Sequence, residues 1–118
     1  MRNFRNLRIW QDGIDLAIFI YKITQSFPRE EQYGLTRQLR RAVVSIPSNT
    51  AEGCSRESDK EFCRFLEIGL GSGFETETQI VVANRIGILE EDKTNECLVR
   101  LWNLQKATTT MIKRTRER

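Results

Sequence analysis

Histidine is absent from the 118-residue chain, and only two prolines and three cysteines are present. The lack of histidine removes the commonest general base and the commonest metal ligand at neutral pH. Cys54, Cys63 and Cys97 are widely spaced and form no CxxC pair, so we expect reduced, structural thiols and no zinc site. We therefore predict no enzymatic activity, no metal and no cofactor.

Long hydrophobic runs are lacking as well. No apolar stretch reaches the roughly 18 residues that a membrane span needs, and the N-terminal sequence MRNFRNLRIW has no apolar core of a signal peptide. With 39% apolar and 30% charged residues, the composition is that of an ordinary globular protein. We expect one cytoplasmic domain that covers residues 1–118.

The pattern that is present is helical. Apolar residues recur at intervals of three and four, whereas the period-two alternation of strands has no useful length. The spacing predicts helices over residues 7–26, 31–54, 58–87 and 93–115, and short connections between them predict an all-α fold, an antiparallel up-down-up-down four-helix bundle. Apolar residues cover more than half of the circumference of the first helix. This predicts that the helix is buried on two sides or takes part in a subunit interface.

The second helix, over the sequence LTRQLRRAVVSIPSNTAEG at residues 35–53, contains a proline. Pro47 removes one backbone hydrogen bond and costs about 3 kcal/mol if nothing relieves it. A kink at Pro47 is predicted; a loop that divides the segment into two helices is the alternative. Asn49, Glu52 and Glu75 are predicted to form an internal polar network that satisfies the backbone groups freed by the proline.

The third helix begins with a capping box, Ser58 to Glu61, and contains three glycines at its centre. A glycine-rich phosphate loop is not expected, because such a loop follows a strand and opens a helix, whereas here a capped helix is already under way. Gly69, Gly71 and Gly73 are instead expected to let a neighbouring helix approach closely, and the Pro47 region is the expected neighbour.

Basic residues are concentrated at both ends of the chain and in one turn of the second helix, while the middle is otherwise acidic. Arg37, Arg40 and Arg41 have no acid among them, so they need a partner from elsewhere. One hypothesis is a polyanion-binding surface on the assembled oligomer, to which Arg56, Lys60 and Arg64 also contribute. The other is ion pairing within the chain or between subunits, which would relieve the repulsion between like charges; the candidate acids are Glu52, Glu75 and Glu77.

A third function class is a carboxylate hydrolase in which Glu52, Glu75 and Glu77 hold a divalent metal between helices. The spacing argues against it, because metal-binding bundles place Glu-x-x-His or Glu-x-x-Glu motifs on facing helices and neither motif is present. The residues alone therefore indicate a helical interaction module.

The segment at residues 35–53, followed by RESDKEFCRFLEIGLGSGFETETQI at residues 56–80, resembles the 23S rRNA intervening-sequence proteins, a bacterial family of four-helix bundles. The most specific matches are Gln38 to Ala42, Ser45 to Pro47, Asn49, Ala51 to Gly53, Phe62, Phe65, Leu66, Gly71, Ser72 and Glu75. Thr50 and Gly69 depart from the usual Ile and Ala, so looser packing is expected there.

The resemblance implies a homo-oligomer, with a pentamer expected. A related accessory protein of diversity-generating retroelements forms a pentameric barrel that binds a reverse transcriptase and nucleic acid. RNA or a nucleic-acid-processing protein is therefore the expected partner, and no membrane association is expected. The resemblance implies no enzymatic activity.

Overall fold

The computed structural model describes residues 2–118 and contains four long helices. These are α1 (Arg8–Thr24), α2 (Leu35–Cys54), α3 (Asp59–Arg85) and α4 (Glu91–Arg116). Two short 3₁₀ turns precede α1 and α2, at Phe4–Asn6 and Arg29–Glu31. No strand occurs in the described residues. The prediction of an all-α four-helix bundle is confirmed.

Each helix packs against the next one along the chain, and α1 also packs against α4. Within residues 2–118, α1 does not pack against α3, nor α2 against α4, so the helices form a ring with two diagonal pairs. Gly13, early in α1, lies against Pro47, late in α2, whereas Arg40, early in α2, bonds to Thr24, late in α1. The antiparallel up-down-up-down order remains a prediction that such contacts support.

The hydrophobic core runs through the centre of this ring, with contributions from all four helices. Its largest fully buried apolar side chains are Leu16, Ile20, Leu39, Val43, Phe62, Leu66, Ile80 and Leu101. Burying one such side chain stabilises the fold by about 1.5 to 3 kcal/mol. No helix in residues 2–118 combines the length and apolar character needed to cross a membrane.

The helix ends differ from the predicted bounds by up to four residues, and the largest difference is at α2. Residues Arg29–Glu31 form a 3₁₀ turn, and the Glu31 side chain accepts a hydrogen bond from the Leu35 amide at 3.2 Å. This bond satisfies one of the free amides at the start of α2. At α3 the predicted cap is present, since Ser58 Oγ accepts from the Glu61 amide at 3.1 Å.

Pro47 lies inside a continuous α2, so the alternative of two helices separated by a loop is set aside. The kink itself remains a prediction. Pro47 is buried against α1, where a Cβ atom on Gly13 would lie 3.1 Å from the Cβ of Pro47. Of the three α3 glycines, Gly69 faces the Pro47 region as expected, since a Cβ there would lie 3.6 Å from Ile46 O and 3.7 Å from Asn49 Cβ, which are ordinary contact distances. Gly73 instead faces α4, where a Cβ would overlap the Gln105 side chain, and a Cβ on Gly71 would meet nothing within 4 Å among residues 2–118.

Candidate functional site

Three arginines lie in one turn near the start of α2, beside the C-terminal end of α1; we call Arg37, Arg40 and Arg41 the arginine corner. Arg40 is half-buried and fixed in place. Its Nε donates to Thr24 Oγ1 at 2.9 Å and one terminal nitrogen donates to the Tyr21 carbonyl at 3.3 Å. Its guanidinium also stacks 4.6 Å from the centre of the Tyr21 ring. Arg40 therefore caps the last turn of α1.

The other two members, Arg37 and Arg41, are exposed. Across residues 2–118, no carboxylate oxygen lies within 4.0 Å of the guanidinium of any corner arginine. The three acids considered as partners are engaged elsewhere. Glu52 pairs with Arg56 at 3.7 Å, Glu77 accepts from Trp102 Nε1 at 2.8 Å, and Glu75 lies 3.5 Å from Gln79 Nε2. Ion pairs of the corner within one chain are therefore not formed.

The arginine corner borders a surface cleft of about 310 Å³ between the end of α1 and the start of α2. The residues lining it are Tyr21, Gln32, Tyr33, Thr36, Arg37, Arg40 and Arg41. The Tyr33 side chain is 78% exposed, and Thr36 is only 7% exposed. Sequence reasoning missed both residues, although a tyrosine in the turn QYG directly before the arginine-bearing helix was an available signal.

Arg56, Lys60 and Arg64 lie at the turn between α2 and α3. Fifteen residues separate Arg41 from Arg56, about 22 Å along a helix axis. Arg64 approaches Glu61 at 4.0 Å, and Arg56 stacks over the Phe65 ring at 4.9 Å. Within one chain the six residues form two groups at opposite ends of α2, and their joint surface on the assembled oligomer stays a prediction.

Both chain termini meet at this second position. We call the terminal end the group formed by residues 2–8, the turn at residues 54–64, and residues 113–118. Asp59 binds the guanidinium groups of Arg2 at 2.6 Å and Arg118 at 3.5 Å, and Arg116 pairs with Glu67 at 3.0 Å. The hydrogen bond from Arg2 holds the pKa of Asp59 below its ordinary value. Most arginines at the terminal end are therefore paired with a carboxylate.

A polar network lies at the middle of α2, where it meets α3. Asn49 Nδ2 donates to the Ser45 carbonyl at 2.8 Å and to Ser45 Oγ at 3.0 Å, and Ser45 Oγ lies 2.9 Å from Ser72 Oγ. Glu52 and Glu75 are exposed and stand outside it. The predicted Asn49, Glu52 and Glu75 network is thus corrected to Asn49 with two serines, because the short hydroxyls reach across the helix interface.

All three cysteines are buried and free. Burial raises the pKa of the thiol in each case, to about 12 at Cys97. Such thiols are poor nucleophiles at neutral pH. In the described part of the chain, no three His, Cys, Asp or Glu side chains come together as metal ligands, and Glu52, Glu75 and Glu77 do not converge.

Large apolar side chains are exposed on all four helices. Those outside α3 are Ile18 and Tyr21 on α1, Val44 on α2, and Val99 and Trp102 on α4. On α3, Ile68 is exposed, and Phe74, Val82 and the C-cap residue Ile86 line one surface cleft, with Phe74 68% exposed. An exposed apolar group such as the one at this cleft is typical of an interaction surface.

Residues 2–118 thus form an all-helical bundle whose arginine corner has no carboxylate partner within them. The sequence model of the family described as 23S rRNA-intervening sequence protein matches residues 5–110. The chain belongs to this family, as the resemblance in its sequence indicated. No match was found among curated protein sequences.

One similar solved structure is the crystal structure of a protein of unknown function from the S23 ribosomal protein family of Bacteroides thetaiotaomicron. It superimposes with a TM-score of 0.80 at 20% sequence identity, over 89% of this chain and 98% of the other. At that identity the likeness shows a common fold.

Proposed function

We propose that the protein is a non-enzymatic homo-oligomeric scaffold that binds RNA, or a protein–RNA complex, through the arginine corner. The observation that carries this proposal is the absence of any carboxylate beside Arg37, Arg40 and Arg41 within the described residues. Three crowded guanidinium groups repel one another unless an anion relieves them. Arginine matches the geometry of phosphate oxygens, and membership in a family named after 23S rRNA intervening sequences supports RNA as the source of those phosphates.

The exposed apolar side chains support an oligomer. In the proposed assembly the apolar group on α3 of one copy, Phe74, Val82 and Ile86, packs on a different helix face of the next copy. A contact between two different faces repeats head to tail and closes into a ring when the rotation allows. A pentamer, the number implied by the family resemblance, would carry the arginine corner five times around the ring. Light scattering at micromolar concentration tests this, and the mass of a single chain would contradict it.

RNA binding is tested by filter binding with a structured RNA, single-stranded DNA and a duplex at two salt concentrations. Phosphate contacts carry little sequence preference, and their affinity falls steeply with salt. The Arg37→Glu, Arg41→Glu double variant should bind RNA about tenfold or more weakly at low salt. Arg40 is left unchanged in this variant because it donates hydrogen bonds to Thr24 and Tyr21 at the end of α1, and its substitution would remove them. No RNA binding by the intact oligomer at low salt would reject the proposal.

A matched control is the Lys113→Glu, Arg114→Glu variant, which reverses the same number of charges at the terminal end. Both residues are exposed and make no ion pair in the described structure. The proposal expects this variant to keep most of the affinity. If it loses affinity while the corner variant binds normally, the RNA site lies at the basic C-terminus instead.

The alternative is a protein–protein adaptor in which the corner pairs with acids of a neighbouring subunit. Glu75 on the exposed side of α3 favours it, because it is exposed and bound only weakly within its own chain. Under this alternative, the Arg37→Glu, Arg41→Glu variant would dissociate into monomers. Under the RNA proposal its mass by light scattering stays that of the wild-type assembly.

A further inference from the structure

We propose that the cleft beside the arginine corner holds one unstacked nucleotide of single-stranded RNA, with its base on the Tyr33 ring and the two phosphates that flank it on Arg37 and Arg41. This inference rests on the proposed RNA-binding function and deepens it, because it assigns a base contact as well as phosphate contacts. It also predicts a preference for single strands over duplex.

The first support is the chemistry that the cleft combines. Tyr33 presents most of its ring to solvent, with an exposed fraction of 78%, directly beside two arginines that have no carboxylate partner within residues 2–118. The ring of Tyr21 already has one guanidinium, that of Arg40, against its face at 4.6 Å. Tyr33 is therefore the free aromatic surface of the cleft. Aromatic rings that stack on bases, next to basic groups that hold the backbone, are the common means of binding single strands.

The second, independent support is the Thr36 hydroxyl. Thr36 lines the cleft, is 7% exposed, and its Oγ1 has no hydrogen-bond partner among the described residues. The six other buried threonines each donate to the carbonyl four residues earlier: Thr24, Thr50, Thr76, Thr94, Thr108 and Thr115. For Thr36 that position is Gln32, which precedes the first turn of α2. Its hydroxyl thus lies covered beside the cleft without a partner in residues 2–118, and because buried polar groups without partners are rare, we assign it to a ligand that seats deeply in the cleft.

The size of the cleft selects among RNA ligands. A volume of about 310 Å³ is at the lower end of the range of small-ligand pockets and suits one nucleotide. A duplex keeps its bases stacked inside and offers no base to Tyr33, whereas loops and single strands present splayed bases. The occupant is therefore an unpaired nucleotide within a strand whose neighbouring phosphates reach Arg37 and Arg41.

The test compares fluorescently labelled oligouridylate with an abasic ribose-phosphate oligomer of the same length, at low salt and with the intact oligomer. Both probes carry the same phosphates, and only one carries bases. Wild-type protein should prefer oligouridylate by about tenfold, since one base stacked on an aromatic ring contributes that much or more. Tyr33→Ala should abolish the preference without changing affinity for the abasic probe, and Tyr33→Phe should retain it.

The outcomes separate the two proposals. If neither probe binds, the RNA-binding function fails and this inference fails with it. If both probes bind equally well to wild-type protein, the arginine surface stands and the nucleotide site is rejected. Uridine monophosphate serves as a further ligand: if it binds as tightly as the oligomer, the site takes free nucleotides and the assignment to an RNA strand is wrong.

Thr36→Val provides a second variant that keeps the shape of the side chain and removes only the hydroxyl. It should weaken binding of oligouridylate about threefold or more, the loss of one hydrogen bond, while leaving the melting temperature unchanged or raising it. Thr108→Val is the matched control. It removes a hydroxyl that donates to Leu104 O at 2.9 Å, so it should lower the melting temperature and leave RNA affinity unchanged. Unchanged affinity in Thr36→Val would overturn the role given to this hydroxyl.

Discussion

The terminal end has seven exposed arginines and the arginine corner has two, and the two regions differ in how their charge is paired. Of the seven ion pairs between described residues, six lie at the terminal end or in the helical turns adjoining it. None involves Arg37, Arg40 or Arg41. Two of the six join distant parts of the sequence at a single carboxylate, Asp59. Charge at the terminal end helps to fasten the N-terminus and the C-terminus to α3.

This difference shows how little can be inferred from the number of basic residues alone. The termini looked like the more basic surface in the sequence, yet folding supplies most of their arginines with acids. The arginine corner is smaller but keeps its charge free and adds an exposed aromatic ring and an unpaired hydroxyl. Stability should therefore be sensitive to substitutions at the terminal end, and binding to substitutions at the corner.

The largest expected effect on stability is that of Phe62→Ala. Phe62 is fully buried at the terminal end and lies 3.8 Å beneath the Arg2 guanidinium. Its truncation should lower the free energy of unfolding by about 3 to 5 kcal/mol. Tyr33→Ala, at the corner, should change it by less than about 0.5 kcal/mol because the ring is exposed. Urea unfolding followed by circular dichroism measures both, and equal losses would contradict the comparison.

A smaller loss is expected for Gly53→Ala, which tests how tightly α2 and α3 approach each other at the terminal end. The added Cβ would lie 3.0 Å from Phe65 Cβ and 3.1 Å from the Phe62 carbonyl oxygen. Since backbone cannot yield easily, we expect a loss of about 1 to 3 kcal/mol.

Gly69→Ala is the matched control for this prediction. Its Cβ would make ordinary contacts at 3.6 Å, so the better helix propensity of alanine should raise stability by up to about 1 kcal/mol. If thermal melting shows both variants to be stabilised, the close approach at Gly53 is refuted.

Asn49→Ala is expected to cost about 1 to 2 kcal/mol, because it removes hydrogen bonds to both the carbonyl and the hydroxyl of Ser45. Ser48→Ala, at an exposed neighbouring position, should have almost no effect. Thermal unfolding of the two variants checks this. Unchanged melting of Asn49→Ala together with a lost RNA or protein partner would make Asn49 a functional residue.

The smallest effect is a pH dependence at Asp59. Because its pKa is lowered in the folded protein, its carboxylate contributes stability above the unfolded value, about 4, and this contribution is lost as pH falls through the lower, folded pKa. Wild-type protein should therefore lose more stability between pH 7 and pH 2 than Asp59→Asn does. Arg37→Gln, which has no carboxylate partner in the described structure, should show the same acid loss as wild type. Equal acid losses in wild type and Asp59→Asn would rule out the assigned role of Asp59.

The fold was largely predictable because apolar residues at intervals of three and four indicate helices directly. The capping box that begins at Ser58 also marked the start of α3. The helix ends were less predictable. The start of α2 follows the 3₁₀ turn at Arg29–Glu31 and is capped by the Glu31 side chain, and neither feature can be read from the spacing of apolar residues. The family match over residues 5–110 agrees with the family-like residues identified in the sequence, such as Ser45 to Pro47 and Gly71 with Ser72.

The candidate site was predictable only in part. The crowding of Arg37, Arg40 and Arg41 is a local property of one helical turn, so it could be read from the sequence. The partners of the other basic residues could not, because Arg2, Asp59 and Arg118 are brought together only by the packing of both termini on α3. The free hydroxyl of Thr36 depends on where α2 begins, which is the feature that sequence patterns locate least well.

The central claim, that the arginine corner holds RNA phosphates, is tested most directly by the salt dependence of binding. Affinity for oligouridylate is measured by filter binding across a salt series for wild type and for Arg37→Gln, Arg41→Gln. Each phosphate contact on a single strand contributes about 0.7 to the slope of log affinity against log salt. The account predicts a slope that is shallower by about 1.4 for each subunit in contact with the strand, with assembly mass and melting temperature unchanged. An unchanged slope and affinity would contradict it.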